Sequence, residues 1–536
     1  MALYNRWVGN SAMASDNKKH SAHYFAGTRL GLEMEMAVAD ARTGRSAPVR
    51  SYFKALAALK AQRGVPSRPV YTGHRCTALI TPDAECGLDN GFNLLETALA
   101  PVKGGASGLK RLATIAHREL SDTLHALRHD GLCVINGAQH PACPRDPAFY
   151  AQMCVPRPIY RELVEYRGWH HREGIDAKAQ NGTNTAVPVH QAARALNALI
   201  GLAPAVIAMY ANSPLESGRI TGLHENRLTL WPRVFSPARF AGDFMLACYP
   251  KRPFHDLGDY FRWMFGNGTV SRSLPLAGDK HYKTADTAIL DGAPCLHDFL
   301  YAHQWPARML ADRQRVVVRP HASHFVYSQI ACFLDARFRY HLQQLPSLST
   351  LLAAWKSEGG LEALFAECGI DAYIEGRAPG ANFADAALLD EAGSEVAGSV
   401  LVSASALQLG LLCNLDQALD LVHDMGWAAL GQLREVAIRE GVQNDAVRAL
   451  CTQVLDVARG GLDRNDQQWL AYPDYVVSTR RCGATRLLET WCQAEDDTLE
   501  TKLQRVIRRH AALEPIQFIR TPHRPPKECR SVGQSQ

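Results

Sequence analysis

The sequence predicts an α+β protein whose C-terminal region is helical. Three observations lead to this class. Residues 29–38 alternate apolar residues with glycine and glutamate, which is the period of a β-strand. Apolar residues recur at helical spacing from Leu109 to Leu127, and residues 416–512 keep a helical pattern throughout. With 536 residues the chain can bury a sizeable core, and it shows no repeats and no clean internal boundary.

The first predicted strand carries two carboxylates on one face. Glu33 and Glu35 are two residues apart, so on a strand their side chains leave the same side of the sheet. Such close like charges favour a divalent cation, because hard cations bind carboxylate oxygens and remove the repulsion. An edge strand with a solvated acidic face is the alternative, and this stretch alone leaves it open.

A second acidic strand follows. The turn-forming Asp89-Asn90-Gly91 precedes a short apolar strand that carries Glu96. A carboxylate among apolar neighbours is costly to bury unless it is paired or bound to a metal. Glu96 therefore adds to the case that the acidic residues face a cation.

Helices and strands continue to alternate after this point. The amphipathic helix from Leu109 ends near Gly131, and a short strand then leads into a loop with His140. A ligand role for His140 and an ordinary loop position are both open. Residues 180–188 are polar and favour a strand, and an apolar helix is expected from about residue 191 to 210.

The middle of the chain contributes two further predictions. Composition favours a surface loop followed by a strand over residues 211–233. A helix is expected over residues 328–345, which would place Asp335 and Arg337 on it.

Composition excludes several function classes. The excess of 58 Lys+Arg over 53 Asp+Glu is small, and the basic residues form no long stripe, so nucleic acid is not an expected partner. The fourteen cysteines form no C-x-x-C pair, which argues against a zinc site and a disulfide framework. Unpatterned cysteines indicate a reducing compartment, and no apolar stretch reaches ~18 residues, so we expect a cytoplasmic protein without a membrane partner.

The most distinctive segment is Ala211-Asn212-Ser213-Pro214-Leu215-Glu216-Ser217-Gly218, followed by Arg227 shortly before Trp231. It resembles the glutamate–cysteine ligase and related carboxylate–amine ligase family, whose members carry an A-N-S-P-x-x-x-G loop and a strand with an arginine close before a tryptophan. The family's G-x-E-x-E strand is matched by Gly31-Leu32-Glu33-Met34-Glu35. Its acidic residue, strand glutamate and proline are matched in order by Asp89, Glu96 and Pro101.

The last landmark has two candidates. Residues 355–377 are similar to the family's W…F-P-E…Y-(I/L)-E-x-R segment, with Glu375 and Arg377 in the places of its metal-binding glutamate and phosphate-binding arginine. Asp335 and Arg337 have the same spacing, but they fall on a predicted helix. We prefer Glu375 and Arg377, because residues 405–412 follow and resemble the family's G-L-L helix.

The resemblance implies a set of site residues. Arg377 would hold the transferring phosphoryl group, and Arg227 would hold the substrate carboxylate unless it pairs with Glu216 or Glu225. Gln180, the best match to the family's histidine or glutamine, and Asn184 would contact the cofactor. The cofactors implied are ATP and Mg²⁺ or Mn²⁺, with these expected metal ligands: Glu33, Glu35, Asp89, Glu96 and Glu375.

The resemblance also implies a reaction. ATP would phosphorylate the carboxylate of a glutamate-like acid, and an amine would attack the acyl phosphate. Cysteine is the family's default amine, which would give γ-glutamylcysteine for glutathione biosynthesis. Three alternatives stay open: a ligase of the same family acting on another amine, a phosphagen-type kinase, and a catalytically inactive regulatory or binding protein. The sequence leaves the amine and the oligomeric state unassigned.

The implied fold is that of glutamine synthetase, in which a curved antiparallel sheet forms a funnel with helices packed outside. We expect an N-terminal extension over residues 1–27, a catalytic body over 28–512 and a basic, proline-rich tail over 513–536.

Overall fold

The computed structural model describes residues 28–105, 107–174, 179–267, 273–276, 286–330, 332–494 and 497–515. The predicted N-terminal extension and most of the predicted basic tail lie outside these ranges. The division into extension, body and tail therefore stays a prediction.

An antiparallel sheet forms the centre of the molecule. Within the described residues it contains these ten strands: β1 Arg29–Asp40, β2 Arg68–Thr72, β3 Arg75–Ile80, β4 Ala84–Leu88, β5 Leu94–Leu99, β6 Val102–Lys103, β7 Leu132–Val134, β8 Asn181–Ala186, β15 Ala336–Leu342 and β16 Ile370–Gly376. Eight of them follow the order β15-β16-β8-β1-β5-β4-β3-β2, while β6 and β7 pair with the ends of β1.

The alternation predicted for the first strand decides how the sheet is buried. In β1, Leu30, Leu32, Met34 and Met36 are at most 1% exposed, and they form one face with apolar residues of the neighbouring strands. Glu33 and Glu35 point to the other face. The strands predicted around Glu96 and over residues 180–188 are likewise present, as β5 and β8.

Two helices cover the apolar face. These are α2 (Gly108–Arg128), which matches the predicted amphipathic helix, and α13 (Ala386–Cys413), which packs on β8. Gln408 of α13 accepts a hydrogen bond from the Thr183 hydroxyl at 2.6 Å and donates to the Ile374 carbonyl oxygen at 3.2 Å. A Cβ at Gly376 would overlap both Gln408 and Thr183, so glycine permits this close approach.

Two segments differ from their predicted structure. Residues 328–345 do not form a helix: a short 3-10 turn at Ser328–Ile330 leads to strand β15. The side chains of β15 alternate between buried and half-buried, so the strand period describes the segment better than the helical one. Arg227 lies on a 3-10 helix, Asn226–Thr229, and not on a strand.

The predicted helix over residues 191–210 is broken in two. Helices α5 (Ala192–Gly201) and α6 (Ala203–Met209) meet at an angle of 50°. Pro204 lies in the first turn of α6, where its missing N–H costs nothing but where it prevents α5 from continuing. By length and composition alone, α13 and the bent pair could each cross a membrane, and 83% of the most apolar window of α13 is buried inside the protein.

The remaining elements surround this core. A second antiparallel sheet contains β11 Leu274–Pro275, β12 Thr287–Leu290, β13 Trp305–Met309 and β14 Arg315–Val318, and a hairpin contains β9 Leu215–Glu216 and β10 Arg219–Ile220. The other helices are α1 Tyr52–Gln62, α3 Pro147–Met153, α4 Pro158–Arg161, α7 Leu230–Phe235, α8 Leu257–Asn267, α9 Leu296–Tyr301, α10 Ala322–Tyr327, α11 Leu348–Lys356, α12 Gly360–Glu367, α14 Leu415–Met425, α15 Trp427–Glu440, α16 Asp445–Gly460, α17 Ala471–Thr479, α18 Gly483–Trp491 and α19 Leu499–His510.

The predicted class is confirmed at the level of a mixed helix and sheet protein with a large antiparallel sheet and a helical C-terminal region. The funnel shape stays a prediction.

Candidate active site

The register of the central strands brings most of the predicted site residues to one face. Glu35 of β1 is paired with Glu96 of β5, and Gly31 of β1 is paired with Asn184 of β8. Asn184 is in turn paired with Glu375 of β16, and Glu375 with Arg337 of β15. Directly paired residues share a face, so a polar surface runs from β5 to β15 on the side opposite α2 and α13.

The acidic end of this surface surrounds Glu35. Glu35 is 8% exposed, and burial together with the nearby Asp89 and Glu96 carboxylates raises its pKa well above the usual value. The backbone N–H of Gln180 donates to Glu35 Oε2 at 3.0 Å. Three of the predicted metal ligands are therefore close enough to repel one another.

Glu33 connects the acidic end to the basic end. Its pKa is raised by burial and by the carboxylate of Glu375, while Arg339 and Arg337 act in the opposite direction. The side-chain amide of Asn184 donates to Glu33 Oε1 at 3.2 Å.

The basic end is organised around Glu375. Its Oε2 accepts hydrogen bonds from Arg337 Nε at 2.8 Å and Arg339 Nη1 at 3.3 Å, and its Oε1 accepts one from Arg377 Nη1 at 2.7 Å. Burial would raise the pKa of Glu375, but these three guanidinium groups hold it well below the usual value. One carboxylate faces three arginines, so the cluster keeps an excess of positive charge.

These contacts bear on the two candidate pairs for the last family landmark, Glu375 with Arg377 and Asp335 with Arg337. Arg337 and Arg377 both belong to the cluster, because β15 is a strand next to β16 and not a helix. Asp335 lies elsewhere: its carboxylate pairs with Arg434 of α15 at 2.6 and 2.9 Å. The structure thus brings Arg337 and Arg377 to the same carboxylate and leaves Asp335 outside the cluster, and the choice of Glu375 and Arg377 as the last site pair stays a prediction.

Glu375 itself is occupied by the arginines. Both of its oxygens accept guanidinium hydrogen bonds, and it is 1% exposed. Its assignment as a metal ligand stays a prediction that these contacts do not support.

Arg227 is held in a structural arrangement next to the site. Its Nε donates to Glu225 Oε1 at 2.9 Å, which is the pairing that the sequence left open as an alternative. Its Nη2 donates to the carbonyl oxygens of Arg377 at 3.2 Å and Ala378 at 3.0 Å. Glu225 Oε2 accepts the backbone N–H of Asn212 at 2.7 Å, so the A-N-S-P loop supports this arrangement. A role for Arg227 in holding a substrate carboxylate stays a prediction.

Two buried amide side chains lie on the same sheet face as the carboxylates. Among the described residues, neither Gln180 Oε1 nor Asn184 Oδ1 has a hydrogen-bond partner, although Gln180 is 1% and Asn184 5% exposed. A Cβ at Gly182 would lie 3.4 Å from Glu33 Cβ and 3.6 Å from Gln180 Nε2, so the glycine leaves the space between them open. Oxygen donors without partners beside repelling carboxylates fit a hard divalent cation.

The residue types fit a divalent cation, but their side chains are not yet arranged as a coordination sphere. In the described part of the chain no three His, Cys, Asp or Glu side chains already converge as metal ligands. A bound ion would therefore require the carboxylates to turn toward a common centre.

His140, the histidine whose role was open, is fully buried. Its Nδ1 accepts the backbone N–H of Ala142 at 3.1 Å, and its Nε2 lies 3.1 Å from the Gly44 carbonyl oxygen. Both ring nitrogens thus have backbone partners, which favours a structural role.

Sequence reasoning missed Arg339. The stretch Ala336-Arg337-Phe338-Arg339-Tyr340-His341-Leu342 alternates apolar and basic residues, and this period would have placed Arg337 and Arg339 on one strand face. Glu225 was named only as a possible partner of Arg227, and its bond to the Asn212 backbone was not predicted.

Part of the polar sheet face lies in a segment that matches a known protein family. Residues 29–263 match the family model "Glutamate-cysteine ligase family 2". The matched segment includes β1, β5, β8 and the A-N-S-P loop, and it ends before β15 and β16. The match confirms the family resemblance inferred from the sequence, and it supports the enzyme class predicted from it, an ATP-dependent ligase.

Comparison with solved structures gives only distant likenesses. A glutamate–cysteine ligase from Francisella tularensis in complex with AMP is 11% identical, with 92% of this chain and 89% of that chain covered and a TM-score of 0.45. A bifunctional glutathione synthetase from Pasteurella multocida is 12% identical, with 92% of this chain and 53% of that chain covered and a TM-score of 0.42. No curated protein sequence matches the chain significantly.

Proposed function

We propose that the protein is an ATP-dependent ligase that joins a glutamate-like acid to an amine through an acyl phosphate. One observation carries the proposal: a single sheet face holds a group of carboxylates around Glu35 next to a group of arginines around Glu375. Transfer of a phosphoryl group from ATP uses both groups. Cations held by the carboxylates neutralise the phosphates, and the arginines stabilise the charge on the oxygens of the transferring phosphoryl group.

The carboxylates would hold magnesium. Glu33, Glu35, Asp89 and Glu96 supply the hard oxygen ligands that Mg²⁺ prefers, and Gln180 adds an amide oxygen. Bound magnesium would supply charge neutralisation for the triphosphate and would lower the pKa of Glu35, which burial and its neighbours raise in the protein alone.

The arginines would hold the transferring group. Glu375 accepts one hydrogen bond from each of Arg337, Arg339 and Arg377. A guanidinium has five N–H donors in a rigid fork. Glu375 therefore fixes the orientation of all three, so they can meet a phosphoryl group without reorganising.

The substrates follow from the family. A glutamate-like acid would be phosphorylated, and cysteine is the first amine to test because it is the family's default. Small molecules are the expected partners. The cytoplasmic location stays a prediction.

The proposal is tested by product analysis. The purified protein would be incubated with ATP, Mg²⁺, glutamate and a panel of amines, and products would be identified by mass spectrometry. A ligase of this kind forms a γ-glutamyl amide with equal amounts of ADP and phosphate. AMP formed in proportion to product would indicate adenylation. A stable phosphorylated compound with ADP but without amine would indicate a kinase, and no turnover under any condition would indicate an inactive binding protein.

A further inference from the structure

A cleft lies beside the acidic end of the candidate active site. It has a volume of about 510 Å³, and its walls come from α3, α4, the π-helix Glu162–Tyr166 that follows α4, and the turn after β13. Tyr150, Tyr160 and Val164 line it, and so do Leu310 and Ala311 from the turn between β13 and β14. The lining is therefore mostly aromatic and aliphatic.

The floor of this cleft is bonded to the residues on either side of Asp89. Arg157 Nη2 donates to the Leu88 carbonyl oxygen at 2.7 Å, and the Val155 N–H donates to the Asn90 carbonyl oxygen at 3.0 Å. Asp89 stands between Leu88 and Asn90, so the cleft adjoins the segment that carries one of the expected metal ligands.

The other end of the same segment returns to the site. Asn90 Nδ2 donates to the Gly174 carbonyl oxygen at 2.8 Å, and a few residues later the Gln180 N–H donates to Glu35 Oε2 at 3.0 Å. The segment that builds the cleft is thus bonded to the backbone beside Asp89, and its C-terminal end is bonded to Glu35.

The aromatic wall is held by its own contacts. The rings of Tyr160 and His171 lie 4.3 Å apart, and the Tyr150 hydroxyl lies 2.8 Å from His171 Nδ1. Arg157 Nη1 donates to the Tyr160 hydroxyl at 2.7 Å. Because the wall is already ordered by these contacts, it loses little conformational entropy when it binds a flat or bulky group.

The rim carries one charge of each sign. Arg161 and Glu165 both line the cleft, both are exposed, and they stand about one helical turn apart. The pair is complementary to the carboxylate and the ammonium group of an amino acid.

We propose that this cleft takes the amine substrate, and that the amine is an amino acid with an aromatic or large aliphatic side chain and not cysteine. The inference rests on the proposed ligase function. The volume falls in the range of roughly 300–1,000 Å³ typical of small-molecule sites, and the apolar walls would leave most of it unfilled around a cysteine.

The test compares two nucleophiles. Hydroxylamine is small and traps an acyl phosphate as a hydroxamate, so it reports carboxylate activation, whereas amide formation with L-phenylalanine, L-tyrosine or L-cysteine also requires the amine site. We expect kcat/KM for L-phenylalanine or L-tyrosine to exceed that for L-cysteine by about tenfold or more, the scale on which apolar pockets discriminate side chains. A wild-type preference for cysteine over every larger amino acid would overturn the proposal.

A cleft-filling variant gives the second arm. Val164 is 37% exposed at the cleft, so Val164→Trp adds bulk without disturbing a packed core. We expect it to lower amide formation with L-phenylalanine relative to hydroxamate formation by about tenfold. Val317→Trp, at a 57% exposed position on β14 outside the cleft lining, is the matched control and should leave that ratio as in the wild type.

The outcomes separate the two claims. If the wild type forms hydroxamate and Val164→Trp leaves the ratio unchanged, the cleft is not the amine site, although the ligase function stands. If the wild type forms no hydroxamate from glutamate, ATP and Mg²⁺, the proposed function fails and this inference fails with it.

Discussion

The Glu375 carboxylate and the Arg337 guanidinium form a buried ion pair between neighbouring strands, with Oε2 and Nε 2.8 Å apart. Arg377 and Arg339 bind the same carboxylate, so a single negative charge orients three positive ones. A buried cluster with an excess of positive charge is stable only if an anion or nearby acids compensate for it. Glu33 and Glu35 supply part of that compensation, as their effect on Arg377 indicates.

Replacing Arg377 or Arg337 by lysine should lower kcat more than it changes the KM for ATP. Lysine keeps the charge of Arg377 or Arg337 but loses the planar fork that grips two oxygens at once. Because charge on the phosphoryl group is redistributed in the transition state, we expect Arg377→Lys and Arg337→Lys each to lower kcat by ~10²–10³-fold with a smaller effect on the KM for ATP. Steady-state kinetics with ATP varied would check this. Wild-type turnover by Arg377→Lys would remove Arg377 from the proposed mechanism.

Activity should depend on a divalent metal held by the carboxylates. We expect turnover to require Mg²⁺ or Mn²⁺, and Glu33→Gln or Glu96→Gln to abolish it, because an amide is a poorer ligand for a hard cation. Circular dichroism and thermal unfolding should show an intact fold in both variants, since removing one of several repelling charges does not destabilise the metal-free protein. Full activity in the presence of a chelator would contradict the metal requirement.

The Asp335–Arg434 ion pair should help to position Arg377. The Asp335 carbonyl oxygen accepts the backbone N–H of Arg377 at 2.7 Å, while its carboxylate is held by Arg434. Because the carboxylate is 1% and the guanidinium 12% exposed, Asp335→Asn should lower the free energy of unfolding by about 3 kcal/mol.

A positioning role predicts more than lost stability. Asp335→Asn should also lower kcat under conditions in which the variant is fully folded, with the KM for ATP little changed. Arg439→Lys is the control, since Arg439 lies on the same helix in an exposed pair with Glu440 and should alter neither quantity. A folded Asp335→Asn variant with normal kcat would limit the pair to a structural role.

His140 should make stability depend on pH in the acid range. Burial lowers its pKa from 6.5 to about 4, so the unfolded chain binds a proton that the folded protein excludes. Stability contributed by the neutral ring is complete above pH 6.5 and is lost as the pH falls toward 4. Between pH 7 and pH 5 this group should cost about 2 kcal/mol of unfolding free energy.

Urea unfolding at the two pH values would measure this loss. His140→Gln should show a smaller decrease than the wild type, although its stability at pH 7 is lower. An equal decrease in both proteins would mean that other groups account for the acid sensitivity.

Local pattern was sufficient for the strands of the acidic end. The alternation in residues 29–38 and the apolar setting of Glu96 predicted β1 and β5, and the spacing of two put Glu33 and Glu35 on one face. These features could be read because side-chain direction in a strand depends only on the neighbours in sequence. The helix over Gly108–Arg128 was predictable for the same reason.

Local pattern failed where a strand was mistaken for a helix. Residues 328–345 contain good helix formers, but Ala336–Leu342 alternates apolar and basic residues with the period of a strand, and it pairs with β16. This error made Arg337 the less favoured candidate and hid Arg339.

The sequence by itself determined the family resemblance, the acidic strands and the residue types that phosphoryl transfer needs. Only the tertiary structure decided that Arg337, Arg339 and Arg377 share Glu375, that Arg227 is bound to Glu225 and to the 377–378 backbone, and that a cleft adjoins Asp89. Partners such as Arg227 and Arg377 are 150 residues apart in sequence. Such contacts depend on strand register and on how the loops return to the sheet, neither of which a local pattern of side chains encodes.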